Sequence, residues 1–454
     1  MRTILQPISN DLSAEMDKLV VTGSHRLKGD LPVSGSKNTA LTLLTGALLA
    51  DGPVIIENVP NVRDVRTLSE IISYTGANVN FDKEAAVVTV DPSTLSIPEA
   101  PYELVKKMRA SFYMLGALLG KCGEARVSLP GGCAWGPRPV NLHIEGIKAL
   151  GAEIDLEQGY VVARAPGGRL PGGSYRLEPS SVGATVNLML AAALARGSSR
   201  IENAAREPDV ITFGEALLSL GARIEGLGTT TIEIEGVDQL QASPIRNCSD
   251  RIELGTFMIA AAIAGEPGDT IRITNAEHEQ LGNAFKEAFA ATGTKTTYGE
   301  DVTEVVVPEK ILPVDITTAV YPGFPTDLQA QWTILMAQAD GPSTVTETIY
   351  LDRFKHIPEL QRMGLVARVE NNVAHISGGH QLKGAQVMSS DLRASVSLVL
   401  AGMVAEGETD VLRVYHLDRG YENLEQKLRD AGIKIRRERY DEWAQPVPPV
   451  SDNV

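Results

Sequence analysis

One short phrase recurs six times along the chain: a helical run ends at a glycine and passes straight into strand-like residues. The glycines are Gly76, Gly151, Gly221, Gly293, Gly364 and Gly432, at spacings of 75, 70, 72, 71 and 68 residues. Glycine at a helix C-terminus tolerates left-handed backbone. That explains each glycine but not the period. A fixed period of this size marks a repeated supersecondary unit, because each unit must stack on its neighbours to bury an apolar face.

Further parts recur with the glycine. An alanine- and leucine-rich helical stretch lies upstream, as at 41–50 and 188–195. A short strand follows, as at 54–58 and 199–203, and then an amphipathic helix, as at 65–74 and 421–431. Six such units, three and three, predict an α/β protein of two similar domains. For 454 residues two or three domains are expected. Units three and four are separated around Asn247-Cys248-Ser249-Asp250, the expected crossover. The opening segment, 19–34, has no helix before it and can complete the sheet of the last unit. This predicts one domain from 19–36 plus 250–438, holding both chain ends, and a second from 37–249. Residues 1–18 are expected to be an extension. Residues 439–454, with Pro446, Pro448 and Pro449, are expected to form a loose tail.

Composition narrows the function classes. Hydrophobic residues make up 43% and charged residues 22%, a globular balance. The net charge of -15 argues against non-specific nucleic-acid binding, which needs a basic face. No stretch is long and apolar enough for a membrane span. Three cysteines without paired spacing do not form a disulfide framework and fit a reducing cytoplasm. Neither they nor the seven histidines show metal-ligand spacing.

Two segments stand out chemically. At 31–40, Ser34-Gly35-Ser36-Lys37-Asn38 ends a strand and opens a long apolar helix. A helix N-terminus beside a lysine attracts anions, but the same residues also read as a plain helix cap. At 129–140, a Pro/Gly-rich run surrounds Cys133, with Arg138 five positions on. Such a run is a loop. Its cysteine reads either as a packing residue or as a reactive thiol near a cation. Arg109, Arg353, Arg393 and Arg419 recur at comparable places and admit two readings, surface ion pairs or ligands for an anion. Asp327 follows a proline turn and opens a helix.

Together these segments resemble the UDP-N-acetylglucosamine enolpyruvyl transferases. The most specific phrases are Gly-Ser-Lys-Asn at 35–38, Met-Arg-Ala-Ser at 108–111, Pro-Gly-Gly-Cys at 130–133 and Ser-Val-Gly-Ala-Thr at 181–185. Phe-Pro-Thr-Asp at 324–327, Asp-Leu-Arg-Ala-Ser at 391–395 and Asp-Arg-Gly-Tyr-Glu at 418–422 add to them. The resemblance implies a two-domain inside-out α/β barrel of six β/α units, three per domain. It also implies transfer of the enolpyruvyl group from phosphoenolpyruvate to the 3′-hydroxyl of UDP-N-acetylglucosamine, with phosphate released and no metal or organic cofactor. Catalytic roles are implied for Cys133, Asp327, Lys37, Arg419 and Asp391, with Cys133 as proton donor and Asp327 as acceptor of the sugar hydroxyl's proton. Phosphoenolpyruvate would be held by Lys37, Arg109, Arg138, Arg353 and Arg419. The nucleotide sugar would be held by Asn38, Arg109, Arg138, Pro139, Val140, Asn141, Leu142, Ser181, Val182, Gly183, Asp327 and Ile349. The expected partners are these two small molecules, without nucleic acid or membrane, in a monomer or weak homo-oligomer. Asn141 stands where the family commonly has aspartate, and Pro179 where it often has a basic residue; both positions concern uridine recognition. The alternatives are the shikimate-pathway enolpyruvyl transferase and a catalytically silent UDP-sugar-binding paralogue.

Overall fold

The structure, a computed structural model, describes residues 15–130 and 140–442. Six helices are apolar or small-residue on nearly every side: Lys37–Ala47, Met114–Cys122, Val182–Ala192, Arg251–Ala264, Gln329–Ala337 and Leu392–Val404. A helix without a polar face has to be surrounded by protein. Accordingly, every residue from Thr39 to Ala47 is buried, as is every residue from Leu392 to Met403. The first three core helices pack against one another, and so do the last three. Small residues set the approach. A Cβ at Gly116 would lie 2.3 Å from the Asn187 carbonyl oxygen of the neighbouring core helix.

Around the helices stand six four-stranded sheets, one per unit. Their strands alternate, with one face buried and one exposed, as in Val54–Glu57 and Thr231–Glu235. That is the pattern of a sheet with one face on a core and the other in water. Helices inside and sheets outside are the inside-out arrangement expected of the fold. In the first unit the strand order is Ile245–Arg246, Val54–Glu57, Val87–Asp91, Asn78–Asp82. The edge strand runs parallel to its neighbour and comes from elsewhere in the chain; the other pairs are antiparallel.

All six repeat glycines have φ between 85° and 98°, so each needs the left-handed backbone that glycine supplies. Each turns a peripheral helix into the next strand. The peripheral helix expected at 421–431 starts later, at Leu424, because Asn423 is itself left-handed at φ 49°.

The opening strand, Glu15–Thr22, pairs between Glu408–Leu412 and Lys434–Asp441 and so completes the sixth sheet. Its register matches Met16 with Tyr440 and Leu19 with Arg437. Two expected boundaries therefore move. Residues 15–18 and 439–441 are paired strand rather than extension and tail, since each supplies the other's backbone hydrogen bonds. The remaining residues of those segments, 1–14 and 443–454, lie outside the described residues.

Two hydrophobic cores result. One is drawn from residues between 40 and 245, the other from 19–33 and 252–435. The chain passes between them twice, and the two passages lie side by side. Ser36 N–H donates to Cys248 O at 2.7 Å, and Asp250 N–H donates to Ser34 O at 2.9 Å. Gly35 sits so tightly that a Cβ would be 1.8 Å from Asn58 O. Asn247 Nδ2 donates to Ser36 O at 3.0 Å and to Asn58 O at 2.9 Å. We place the lobe boundaries in these two passages, with 37–249 as the first lobe and 19–36 plus 250–438 as the second.

Candidate active site at the lobe boundary

The repeat has a consequence for chemistry: each core helix presents its N-terminal end with a polar or charged residue on it. Lys37 and Arg251 are first residues of the first and fourth core helices. Arg109 and Asp327 lie in the short 3-10 turns, Arg109–Tyr113 and Thr326–Leu328, that lead into the second and fifth. Ser181 caps the third, and its side chain accepts from Ala184 N–H. Asp391 caps the sixth, with Arg393 as the second residue inside. Helix N-termini carry unpaired N–H groups and a positive partial charge, which favours anions.

In the second lobe, Asp327 binds two arginines. Arg353 Nη2 lies 2.7 Å from one carboxylate oxygen and Arg393 Nη2 lies 2.9 Å from the other. Both guanidiniums are almost wholly buried, with side-chain exposures of 9% and 5%. Burial alone would raise the Asp327 pKa, but the two arginines override it and hold the carboxyl well below its usual range. Second contacts fix the arginines. Arg353 Nη1 donates to Thr326 Oγ1 at 2.9 Å, and that hydroxyl donates to the fully buried Glu347 at 2.8 Å. Arg393 Nη1 reaches the Tyr421 hydroxyl at 3.4 Å. Glu347 also accepts from the Ile349 N–H at 2.7 Å, which ties Ile349 to the same network.

A second cluster spans the lobes. Asp64, near the start of the first-lobe helix Arg63–Tyr74, accepts from Arg419 Nε at 2.9 Å and Nη2 at 3.3 Å. Arg419 belongs to the second lobe. Lys37 Nζ stands 3.5 Å from the same carboxylate. Burial lowers the Lys37 pKa, with Arg393 and Arg419 pushing the same way and Asp64 and Asp327 opposing. A second cross-lobe pair joins Arg251 to Asp209 at 3.2 Å, and Asp209 also accepts from Thr39 Oγ1 at 3.0 Å.

The first lobe contributes a further face. Val140, Asn141 and Leu142 form the start of the helix Asn141–Ala149, which packs on the third core helix. There Gly183 approaches His143, whose ring a Cβ at Gly183 would meet at 3.1 Å. His143 is buried, hydrogen-bonds Asn187 at 2.9 Å and stacks edge-on against Phe112. Burial lowers its pKa to about 3, with the Arg109 charge adding to the effect. Arg109 therefore lies within electrostatic reach of the 140–142 and 181–183 segments.

Of the residues named from sequence, the structure brings Lys37 to Arg419 and Asp327 to Arg353. Arg109 it brings near enough to His143 for its charge to act on that ring, in the helix that begins at Asn141. Asn38 is half-buried next to Lys37. Asp391 caps its own helix with one carboxylate oxygen, accepting from the N–H groups of Arg393 at 2.9 Å and Ala394 at 3.1 Å. Cys133, Arg138 and Pro139 lie outside the described residues. Sequence reasoning missed Asp64, Asp209 and Glu347, and did not foresee that Arg393 pairs with Asp327. Asp64 reads in sequence as an ordinary acidic residue in a first helical turn; nothing local signals an arginine 355 residues away. Among the described residues, no group of three or more histidine, cysteine, aspartate or glutamate side chains is arranged to hold a metal ion. Nor is any helix there long and apolar enough to cross a membrane.

Known proteins share this architecture. The family model of EPSP synthase (3-phosphoshikimate 1-carboxyvinyltransferase) matches residues 21–428. A UDP-N-acetylglucosamine 1-carboxyvinyltransferase of Chloroherpeton thalassium is 51% identical over 432 residues, covering 95% of this chain and 99% of the relative. One from Desulfosudis oleivorans is 49% identical, covering 93% and 99%. Among solved structures, the enolpyruvyl transferase NikO of Streptomyces tendae superposes with a TM-score of 0.85 at 28% identity, covering 94% of this chain and 99% of that one. EPSP synthase of Acinetobacter baumannii reaches 0.73 at 17% identity, covering 93% and 100%, which speaks for the fold alone. The chain belongs to the EPSP synthase family of enolpyruvyl transferases, and within it groups with the UDP-N-acetylglucosamine 1-carboxyvinyltransferases.

Proposed function

We propose that the protein transfers the enolpyruvyl group of phosphoenolpyruvate to the 3′-hydroxyl of UDP-N-acetylglucosamine and releases phosphate. The observation that carries this reading is the near full-length identity of about half to relatives bearing that name. The geometry agrees with it. A donor with a phosphate and a carboxylate needs several fixed cations, and Lys37, Arg353, Arg393 and Arg419 line one boundary. The shikimate-directed alternative ranks below it, because that comparison falls to 17% identity. The silent-paralogue alternative does not account for the paired arginines around Asp327.

In this reading Cys133 delivers a proton to C3 of the enol while the sugar oxygen bonds to C2. Asp327 takes the hydroxyl proton. A carboxylate held by two guanidiniums is a weak base. Its basicity rises as Arg353 and Arg393 turn part of their donor capacity to the carboxylate of phosphoenolpyruvate. A C3 proton then returns to the Cys133 thiolate, which restores the double bond as the C2–oxygen bond to phosphate breaks. Arg109 and Arg138 complete the anion site. Asn38, Pro139, Val140, Asn141, Leu142, Ser181, Val182, Gly183 and Ile349 line the nucleotide sugar. Asp391 serves the sixth helix N-terminus that carries Arg393. We assign the reaction to the first committed step of peptidoglycan synthesis, in the cytoplasm.

The test is phosphate release from phosphoenolpyruvate by the purified full-length protein. Release is expected only when UDP-N-acetylglucosamine is present. Release driven by shikimate 3-phosphate, or none despite nucleotide-sugar binding, would overturn the reading. Fosfomycin is expected to alkylate Cys133. An intact Cys133 after treatment, read by mass spectrometry, would remove the thiol from the mechanism.

A further inference from the structure

The Arg419–Asp64–Lys37 cluster does more than join the lobes. Asp64 is 3% exposed, and its carboxylate meets one edge of the Arg419 guanidinium with both oxygens while Lys37 Nζ stands 3.5 Å away. Three elements contribute one charge each. Lys37 opens the first core helix beside the double passage; Asp64 opens the peripheral helix Arg63–Tyr74 of the first lobe; Arg419 ends the turn Val414–Arg419 of the second. Gly420 follows directly, and a Cβ there would lie 3.4 Å from Lys37 Cε, so the second-lobe turn lies right against the lysine side chain.

We propose that Asp64 is a positioning residue of the anion site: it fixes the Lys37 ammonium and the Arg419 guanidinium against each other across the lobe boundary, so that the two cations face the phosphate of an anionic substrate as one unit. This rests on the functional reading above for the identity of the substrate, though not for the anion site itself. Both cations sit on long flexible side chains that lose rotamer freedom when they bind. A buried carboxylate that already orients them removes part of that cost. Asp64 and Arg419 come from different lobes, so the unit is built across the lobe boundary.

The charges facing Lys37 give the proposal a signature that packing alone lacks. Besides Asp64, they are Asp327 from the fifth unit and Arg393 and Arg419 from the sixth; Asp250 accepts the Lys37 backbone N–H at 3.2 Å. Burial and the two arginines favour neutral Lys37, while Asp64 and Asp327 favour the ammonium. Neutralising Asp64 removes the larger of the two supporting charges, so the lysine loses its proton at lower pH.

The experiment compares wild type, Asp64→Asn and Asp64→Glu, with a thermal melt of each to establish folding. In steady-state assays from pH 6 to 10, Asp64→Asn is expected to raise the KM for phosphoenolpyruvate on the order of tenfold or more. The KM for the acceptor is expected to stay within about twofold, on the usual cost of losing a charge-assisted hydrogen bond. The alkaline limb of kcat/KM is expected to move to lower pH, and Asp64→Glu to recover part of both changes. Equal changes in both KM values with an unmoved limb would overturn the proposal. If wild type shows no turnover, the functional reading fails and titration with inorganic phosphate decides this one. Weaker binding by Asp64→Asn, growing with pH, supports it; equal binding sinks it.

Discussion

Asp327 and Asp64 are both carboxylates at the lobe boundary, and each holds two cations, but they are built differently. Asp327 and its arginines come from the fifth and sixth units, within one lobe. Asp64 takes one cation from the other lobe. The first cluster is a product of folding a single lobe. The second depends on how two lobes meet. The difference teaches that one site can combine a part assembled within one lobe, which sets proton affinity, with a part that draws its charges from both lobes.

The sharpest way to break this comparison is Asp327→Ala, which leaves two guanidiniums buried without their shared partner. Removing one member of a buried ion pair costs about 3–5 kcal/mol, and turnover should fall on the order of a hundredfold or more if Asp327 moves the hydroxyl proton. Urea unfolding and phosphate release measure the two. A stability loss below about 1 kcal/mol would mean that the arginines re-pair easily and the cluster is not a folding unit.

Next comes Gly35→Ala, which acts on the passage between the lobes. The added Cβ would sit 1.8 Å from Asn58 O, so backbone must move. Overpacking of this kind costs about 1–3 kcal/mol. The cluster drawn from both lobes should suffer and the one within a single lobe should not. Turnover is therefore expected to drop in a variant that still melts cooperatively. Wild-type turnover would show that the passage tolerates displacement.

Acid separates the buried histidines from the Asp327 cluster. The His143 pKa is lowered to about 3 by burial and Arg109. The unfolded chain binds this proton near pH 6.5, the folded one only near 3. Stability from His143 is therefore complete above about 6.5 and declines as pH falls toward 3, by about 2 kcal/mol at pH 5. For Asp327 the folded pKa is depressed, so its contribution is present above the unfolded value near 3.8 and is lost only further below. In the second lobe, buried His356 and half-buried His416 have pKa values lowered to about 4 and respond over the same range, so both lobes should loosen before the Asp327 carboxylate is protonated. A melting temperature followed from pH 7 to 5 should fall less steeply in His143→Asn than in wild type; parallel slopes would contradict this.

The smallest effect concerns the caps. Ser36→Ala and Ser181→Ala each remove an N-cap worth about 1 kcal/mol. Ser36 also donates to Asp209, at a long 3.4 Å. Its loss should therefore exceed that at Ser181 by a few tenths of a kcal/mol in chemical denaturation. Equal losses would show that the cross-lobe link through Asp209 adds nothing there.

Much of this was legible beforehand because it is written in local sequence. The six glycines announced six units, and each adopts the left-handed backbone for which glycine is suited. Apolar helices announced a buried interior. The phrases around Lys37, Arg109, Asp327 and Arg419 are the basis for proposing an anion-binding site, because such chemistry requires those residue types. Illegible were the partners. Asp391 looks catalytic in its motif, and the structure adds that one of its carboxylate oxygens caps its own helix N-terminus. The peripheral helix near Tyr421 begins at Leu424 because of one left-handed asparagine.

The repeat, the family and the residue types that the chemistry needs were determined by the sequence itself. They depend on periodicity, backbone preference and side-chain chemistry, which are properties of short segments. Only the tertiary structure decided that residues 15–18 pair with 438–441, that Arg393 shares Asp327 with Arg353, and that Asp64 meets Arg419. Those contacts join segments tens to hundreds of residues apart. Electrostatic pairing at such separation leaves no local pattern, because any acidic residue on a helix surface reads the same until a distant cation is folded against it.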